Sequence, residues 1–295
     1  MNSINRIGVL GASSMVGKRL LPLLVQSNNE VLAFSRDAEK HRKEESNPNV
    51  LWAALSEASD VESAGSIKEW ISFIPIWKLS GFLPFLKTYG AHRIVALSST
   101  SRFTKEYSSD KADRELSKEI LISEEKLASW AKDNDINWTV LRPTLIYGHG
   151  LDKNISEIAR LINKFGMFPL LGTANGLRQP VHVDDVAGAC MQALDTPQTF
   201  NRAYNIPGSE KLTYREMVKR VFVAMNKKPR IVTVPLIVFW FAMFILRYLH
   251  RFRDVSVATI ERMVQDMVFE YTDATRDFGF APRKFILTQQ DIPKL

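Results

Sequence analysis

The feature that most narrows what this chain can fold into is a glycine-spaced turn directly behind an apolar run near the amino terminus. Residues 6–10 read as a buried strand and residues 15–26 as a helix, with Gly8, Gly11 and Gly17 spaced across the junction. Gly11 permits a tight bend and close approach of the backbone, and Gly17 lets the helix pack on the strand. The helix start adds free N–H groups and the positive end of the helix dipole. A dinucleotide's pyrophosphate suits that corner, held by Gly8, Gly11, Ser13, Ser14, Met15, Val16 and Gly17. Ser14 stands where a middle glycine is usual, so the backbone there must accept a Cβ. The competing reading is a glycine turn without a ligand.

Apolar runs and helical patterns go on alternating through the first two thirds of the chain, the signature of a parallel sheet wrapped by helices. Strands are expected at 30–35, 50–54, 70–75, 93–98 and 137–141, and helices at 79–89 and about 110–133. Leu116, Ile120, Leu121, Leu127 and Trp130 give the last helix an apolar stripe at helical spacing. After Gly150 come glycine-bearing loops and helices at about 183–194 and 214–225. The expected layout is a nucleotide-binding unit over 1–150 and a smaller, mostly helical substrate lobe over 151–295, interleaved with the sheet around 180–206. With 295 residues and 45% hydrophobic composition, both units can be globular. Cys190 is the only cysteine, which excludes intrachain disulfides and cysteine zinc clusters and fits a reducing compartment. The first residues lack a signal peptide's apolar segment, so a cytoplasmic protein is expected.

The end of the second strand is where ribose preference is read: an acidic residue there binds the 2′-hydroxyl, an arginine accommodates a 2′-phosphate. The strand ends Ser35-Arg36, which favours NADP, and Asp37 one step later keeps NAD open.

At this point the chain resembles an extended or atypical short-chain dehydrogenase/reductase of the NAD-dependent epimerase/dehydratase type. The likeness rests on the Gly11/Gly17 turn, on 95–100 (VALSST), on 141–148 (LRPTLIYG), on 178–187 (RQPVHVDDVA) and on 277–282 (DFGFAP). It implies an α/β fold, a doubly wound parallel sheet of the Rossmann type with a helical carboxy-terminal lobe. It also implies a hydride-transfer site: a hydroxyl after the fifth strand, a tyrosine acid/base, and a lysine four residues later that lowers the tyrosine's pKa. Thr100 matches the hydroxyl, with Ser98 and Ser99 beside the cofactor. Counting back from Arg142-Pro143 lands the other two on Leu116 and Ile120, both apolar. A Tyr-x-x-x-Lys spacing occurs instead at Tyr107 and Lys111, closer to Thr100 than the family places it, with Lys105 a further cation. The alternative is a loop tyrosine beside a helix-start lysine. By the same resemblance Arg142, Pro143 and Thr144 pass the nicotinamide, while Tyr147 and Arg178 meet the substrate, Arg178 at its diphosphate. His182, Asp184 and Asp185 read as a helix start, and no metal ligand set is expected.

Net charge is +7, but residues 201–253 alone carry +9. That excess flanks an uncharged apolar run bounded by Leu236 and Leu246, with Lys227, Lys228 and Arg230 before it and Arg247, Arg251 and Arg253 after it. A helix apolar on all faces is either buried or in lipid. One reading lays it on the inner face of a membrane, with cations at anionic head groups. The other buries it against 255–269 or in a homodimer. Nucleic acid is not an expected partner, because the basic residues do not interleave with aromatics along a groove.

The expected function is an NAD(P)-dependent oxidoreductase or epimerase acting on a nucleotide-linked or lipid-linked sugar diphosphate. The reading from another class is a cofactor-binding regulator or assembly factor of a membrane complex that performs no turnover, for which Leu116 and Ile120 speak.

Overall fold

The computed structural model describes residues 5–54, 65–234 and 263–294. Seven parallel strands form the central sheet: β1 (Asn5–Leu10), β2 (Asn29–Ser35), β3 (Val50–Ala54), β4 (Glu69–Ser72), β5 (Arg93–Leu97), β6 (Asn137–Pro143) and β11 (Arg202–Ile206). Their order is β11-β6-β5-β4-β1-β2-β3, so the direction of winding reverses between β1 and β4. In such a sheet the crevice beyond the carboxyl ends at the reversal is the natural ligand site. The strands read as near-continuous apolar runs because both faces are covered.

One face packs on α1 (Met15–Gln26) and α6 (Val183–Asp195), and the other on α3 (Leu83–Thr88) and α4 (Lys111–Asp133). A seven-residue helix, α2 (Ala38–Glu44), joins β2 to β3. A third core gathers α5 (Ile155–Phe165), α7 (Tyr214–Ala224) and Phe285. A short helix, α8 (Thr272–Phe278), packs on the α1/α6 side, and a segment carrying Phe285 and Asp291 follows it.

The fold matches the expected doubly wound sheet, with three differences. The fourth strand stops at Ser72 rather than 75, because Pro75 opens a helical turn at Ile76–Leu79. Residues 202–206, not read as a strand, close the sheet beside β6. The lobe adds short strand pairs not read from the sequence: β7 (Ile146–Tyr147) pairs with β10 (Val181–His182), β8 (Phe168–Leu171) with β13 (Ile231–Val234), and β9 (Leu177–Arg178) with β12 (Leu212–Thr213). The helix α5 also emerges where only loops were expected. The run bounded by Leu236 and Leu246 and the cations after it lie outside the described residues. Among the described residues no helix is long and apolar enough to cross a membrane.

Candidate functional site

The turn after β1 is built from backbone geometry. Gly11 has φ +72°, a region that favours glycine, and a Cβ there would lie 3.2 Å from the Ile74 nitrogen on the neighbouring connection. A Cβ at Gly17 would meet the Ala12 carbonyl oxygen at 2.4 Å, so only glycine lets the first turn of α1 close on the bend. Ser14 needs no glycine: its φ of −65° is ordinary, and its Oγ caps α1 by accepting from Gly17 N–H at 3.1 Å. The amides of Gly11 and Ala12 donate to the Phe34 carbonyl. Met15 and Val16 sit in the first turn, where helix geometry offers their N–H groups no intrahelical acceptor. Ser35 at the end of β2 bonds Ser13 across the corner at 2.9 Å, and Arg36 beyond it is exposed. The corner leaves the Met15 and Val16 amides as donors for an anion such as a dinucleotide's phosphates, and Gly11 and Gly17 let the backbone close tightly around it.

Gly8 has a different role from the one expected of it. Its missing Cβ would lie 2.3 Å from the Trp70 ring, so the position serves packing inside the sheet, one turn before the bend.

A cleft of about 700 Å³ opens beside the turn, and Met15 forms part of its wall. Ser99, Thr100 and Lys105 line it from the segment after β5, Thr144 from the end of β6, and Arg178 and Tyr214 from the lobe. Thr100 is fixed by its own amide and hydroxyl, which both donate to the Pro143 carbonyl, at 3.1 and 3.2 Å. Thr144 Oγ1 donates to the Gln179 carbonyl. Arg178 is buried; its Nη1 donates to the carbonyls of Leu177 and Gln265, and its guanidinium lies over the Tyr214 ring. Lys105 pairs with Asp113 at 2.6 Å in a largely shielded position. Asp152 also borders the cleft, but its carboxylate is occupied by the amides at the start of α5 and by Ser156 Oγ.

Residues 83–207 match the family model described as the NAD dependent epimerase/dehydratase family. The matched stretch runs from the start of α3 to just past β11 and covers less than half of the chain. Among curated proteins it is 25% identical over 114 residues to a UDP-glucose 4-epimerase of Vibrio cholerae, a stretch covering 39% of this chain and 35% of the relative. It is 23% identical over 222 residues to a mitochondrial NADH dehydrogenase [ubiquinone] 1 alpha subcomplex subunit 9 of Dictyostelium discoideum, covering 72% of this chain and 62% of that one. The chain thus spans less than two thirds of either relative. In fold it is similar to the Bordetella bronchiseptica enzyme WbmH solved in complex with NAD+, with a TM-score of 0.68, 13% identity, and coverage of 98% and 97% of the two chains.

The expected tyrosine and lysine do not reach the cleft. Tyr107 is 85% exposed, and the Lys111 side chain is 83% exposed and pairs with Glu115. The reason is local. The segment after Thr100 forms a helical turn at Ser101–Thr104 and then runs out to Asp110, which caps α4, so both residues end on its solvent side. Leu116 and Ile120 pack into the core, Ile120 fully buried. The α4 face turned toward the β5 segment carries Asp113 and Ser117 instead: Asp113 holds Lys105, and Ser117 Oγ donates to the Arg102 carbonyl.

Arg142 and Ser98, expected at the nicotinamide, are committed to Glu124. Glu124 is 4% exposed and accepts from Arg142, Arg102 and Ser98. Burial pushes its pKa up, but the hydrogen bonds from Arg142 and Ser98 and the charges of Arg142 and Arg102 outweigh that and hold it below the ordinary glutamate value. The signal was in the sequence: Glu124 falls on the apolar stripe Leu116, Ile120, Leu127, where a charge must be paired. Tyr147, expected at the substrate, is a core residue, packed edge-on against His182 and Phe285; burial raises its pKa well above the ordinary phenol value. Pro143 serves the site through its carbonyl. Tyr214, Asp113 and the cleft methionines Met263 and Met267 were not read from the sequence, because nothing local distinguishes them until the lobe folds over the sheet.

Proposed function

We propose that the protein is an NAD-dependent oxidoreductase or epimerase whose cleft takes a nucleotide-linked or lipid-linked sugar diphosphate. One observation carries the reading: a single cleft runs from the first turn of α1 past Thr100 to Arg178. That path would set a dinucleotide's reactive end between a hydroxyl and a guanidinium suited to a diphosphate. The division at 150/151 gives this lobe the diphosphate-binding part, and the return of α6 and β11 to the sheet accounts for the interleaving around 180–206. Gly11, Ser13, Met15, Val16 and Gly17 would hold the pyrophosphate, with Ser35 and Arg36 at the ribose. NAD, when bound, supplies a hydride acceptor and donor. Thr100 Oγ1 and Lys105 Nζ would hold the reacting oxygen, with Asp113 orienting the ammonium through its 2.6 Å contact. The Vibrio relative's name and the NAD+ in the Bordetella structure support this substrate and cofactor class.

A second reading, cofactor binding without turnover, has its own observation: the helix positions the family uses for acid/base work hold buried Leu116 and Ile120, and Tyr107 faces solvent. The likeness to a mitochondrial NADH dehydrogenase subunit agrees with it. Purified protein examined for bound nucleotide, then given NAD with UDP-glucose and with a polyprenyl diphosphate sugar, separates the two. Epimerised or oxidised sugar supports the enzyme; tight NAD binding with no conversion of either sugar supports the second reading.

A further inference from the structure

Two of the chain's five histidines meet away from the cleft. His149 lies in the loop after β7 with φ +52°, and His182 caps α6. Asp184, in the first turn of α6, stands between them: its Oδ1 is 3.3 Å from His149 Nε2 and its Oδ2 is 3.5 Å from His182 Nδ1. On the far edge of the His182 ring, Nε2 lies 3.3 Å from Asp291 Oδ1.

We propose that His149 Nε2, His182 Nδ1 and the Asp184 carboxylate form a site for a divalent transition ion of the zinc type. Bonds of about 2.0–2.2 Å in a tetrahedron put ligand atoms roughly 3.3–3.6 Å apart, and the edge from His149 Nε2 to Asp184 Oδ1 already has that length. The other two edges, from His182 to the carboxylate and between the imidazoles, are within 4.8 Å and close by rotation of the partly exposed Asp184 and His149 side chains. The chemistry of the donors agrees. Asp291 accepts from Nε2–H of His182, which fixes the tautomer with the Nδ1 lone pair free to ligate, the arrangement by which a second carboxylate orients a metal-bound histidine. At present that lone pair accepts only the Asp184 amide, at 3.2 Å, a single capping bond that a metal would replace. Two imidazoles and one carboxylate favour zinc or a neighbouring transition ion over magnesium or calcium, and leave a fourth position for water.

The surrounding charge admits a cation. Asp184, Asp185 and Asp291 face two guanidiniums, Arg19 and Arg283, leaving an excess of one negative charge. Arg19 Nε sits 2.6 Å from Asp184 Oδ1 on a side chain that is nearly half exposed and can swing to solvent. A bound ion would tie the loop after β7 to α6 and to the carboxy-terminal segment, which Asp291 already holds through the His149 amide and the Thr288 cap.

Calorimetric titration of tag-free protein with zinc alone tests this, with cobalt substitution as a second measurement. The site predicts saturable binding of a single ion per chain, the intense visible bands of four-coordinate cobalt, and affinity reduced at least about tenfold in His149→Gln. His92→Gln, which changes an exposed histidine elsewhere, should leave the affinity unchanged. No saturable binding, or binding of equal strength in His149→Gln, overturns the proposal and leaves the four residues as a helix cap with ion pairs. Neither result bears on the cleft or on NAD.

Discussion

Arg142 grips the carboxylate of Glu124 through two nitrogens, Nε 3.0 Å from Oε1 and Nη2 2.6 Å from Oε2, joining the end of β6 to the middle of α4. The bond closes the corner behind Thr100. Breaking a buried pair leaves an uncompensated charge and costs about 3–5 kcal/mol. Glu124→Gln keeps the shape and removes only the charge, so we expect it to lower stability by roughly 2–4 kcal/mol in urea denaturation. A change under half a kcal/mol would show the pair to be inert.

The same carboxylate predicts an acid response. Its folded pKa lies below the ordinary 4.5, so its contribution is complete above that value and is lost as pH falls through the depressed one. Asp291, held low against the raising effect of burial by His182 and Thr288, acts in the same direction. Wild-type stability should therefore fall below pH 4.5 more steeply than that of Glu124→Gln. Parallel curves from pH 5 to about pH 3 would contradict the assignment.

Tyr107→Phe and Lys111→Ala should change NAD affinity and any turnover by less than about twofold, since both side chains face solvent. Lys105→Met, which removes a group proposed at the reacting oxygen, should lower any turnover of UDP-glucose by about tenfold or more, about 1.4 kcal/mol, and leave inorganic diphosphate binding unchanged. The pattern is read by titration of each variant. A collapse of turnover in Tyr107→Phe would mean that the loop folds over the cleft when ligand binds.

Much of this architecture was legible in the sequence because it follows from local rules. The bend at Gly11 needs a positive φ, and the strand and helix periods around it place the sheet and its winding. The proposed cofactor corner was read from the same residues. What stayed hidden depends on which side of a helix looks inward. Counting along α4 put the family's pair on Leu116 and Ile120, whereas the face toward the site carries Asp113 and Ser117, three residues earlier on the helix. Arg142 read as a ligand contact because its partner, Glu124, lies 18 residues away on another element. Gly8 read as part of the phosphate turn because Trp70, the ring that requires it, comes from β4.

Gly8→Ala should destabilise the fold by about 1–3 kcal/mol through overpacking against Trp70, while leaving NAD affinity per folded molecule unchanged. Thermal unfolding paired with an NAD titration distinguishes this from a binding role, for which affinity would fall and stability hold.

Arg36, exposed just beyond β2, is proposed to read the adenosine 2′ position. Arg36→Ala should lower affinity for NADP relative to NAD by about tenfold, equal to 1.4 kcal/mol. An unchanged ratio in fluorescence titrations would assign Arg36 to solvent and leave Asp37 as the reader.

The account stands or falls on whether the corner between β1 and α1 holds a dinucleotide. Isothermal titration of the purified protein with NAD measures that directly. It should show saturable heat with one molecule bound per chain, and no heat on reaching millimolar NAD would contradict it.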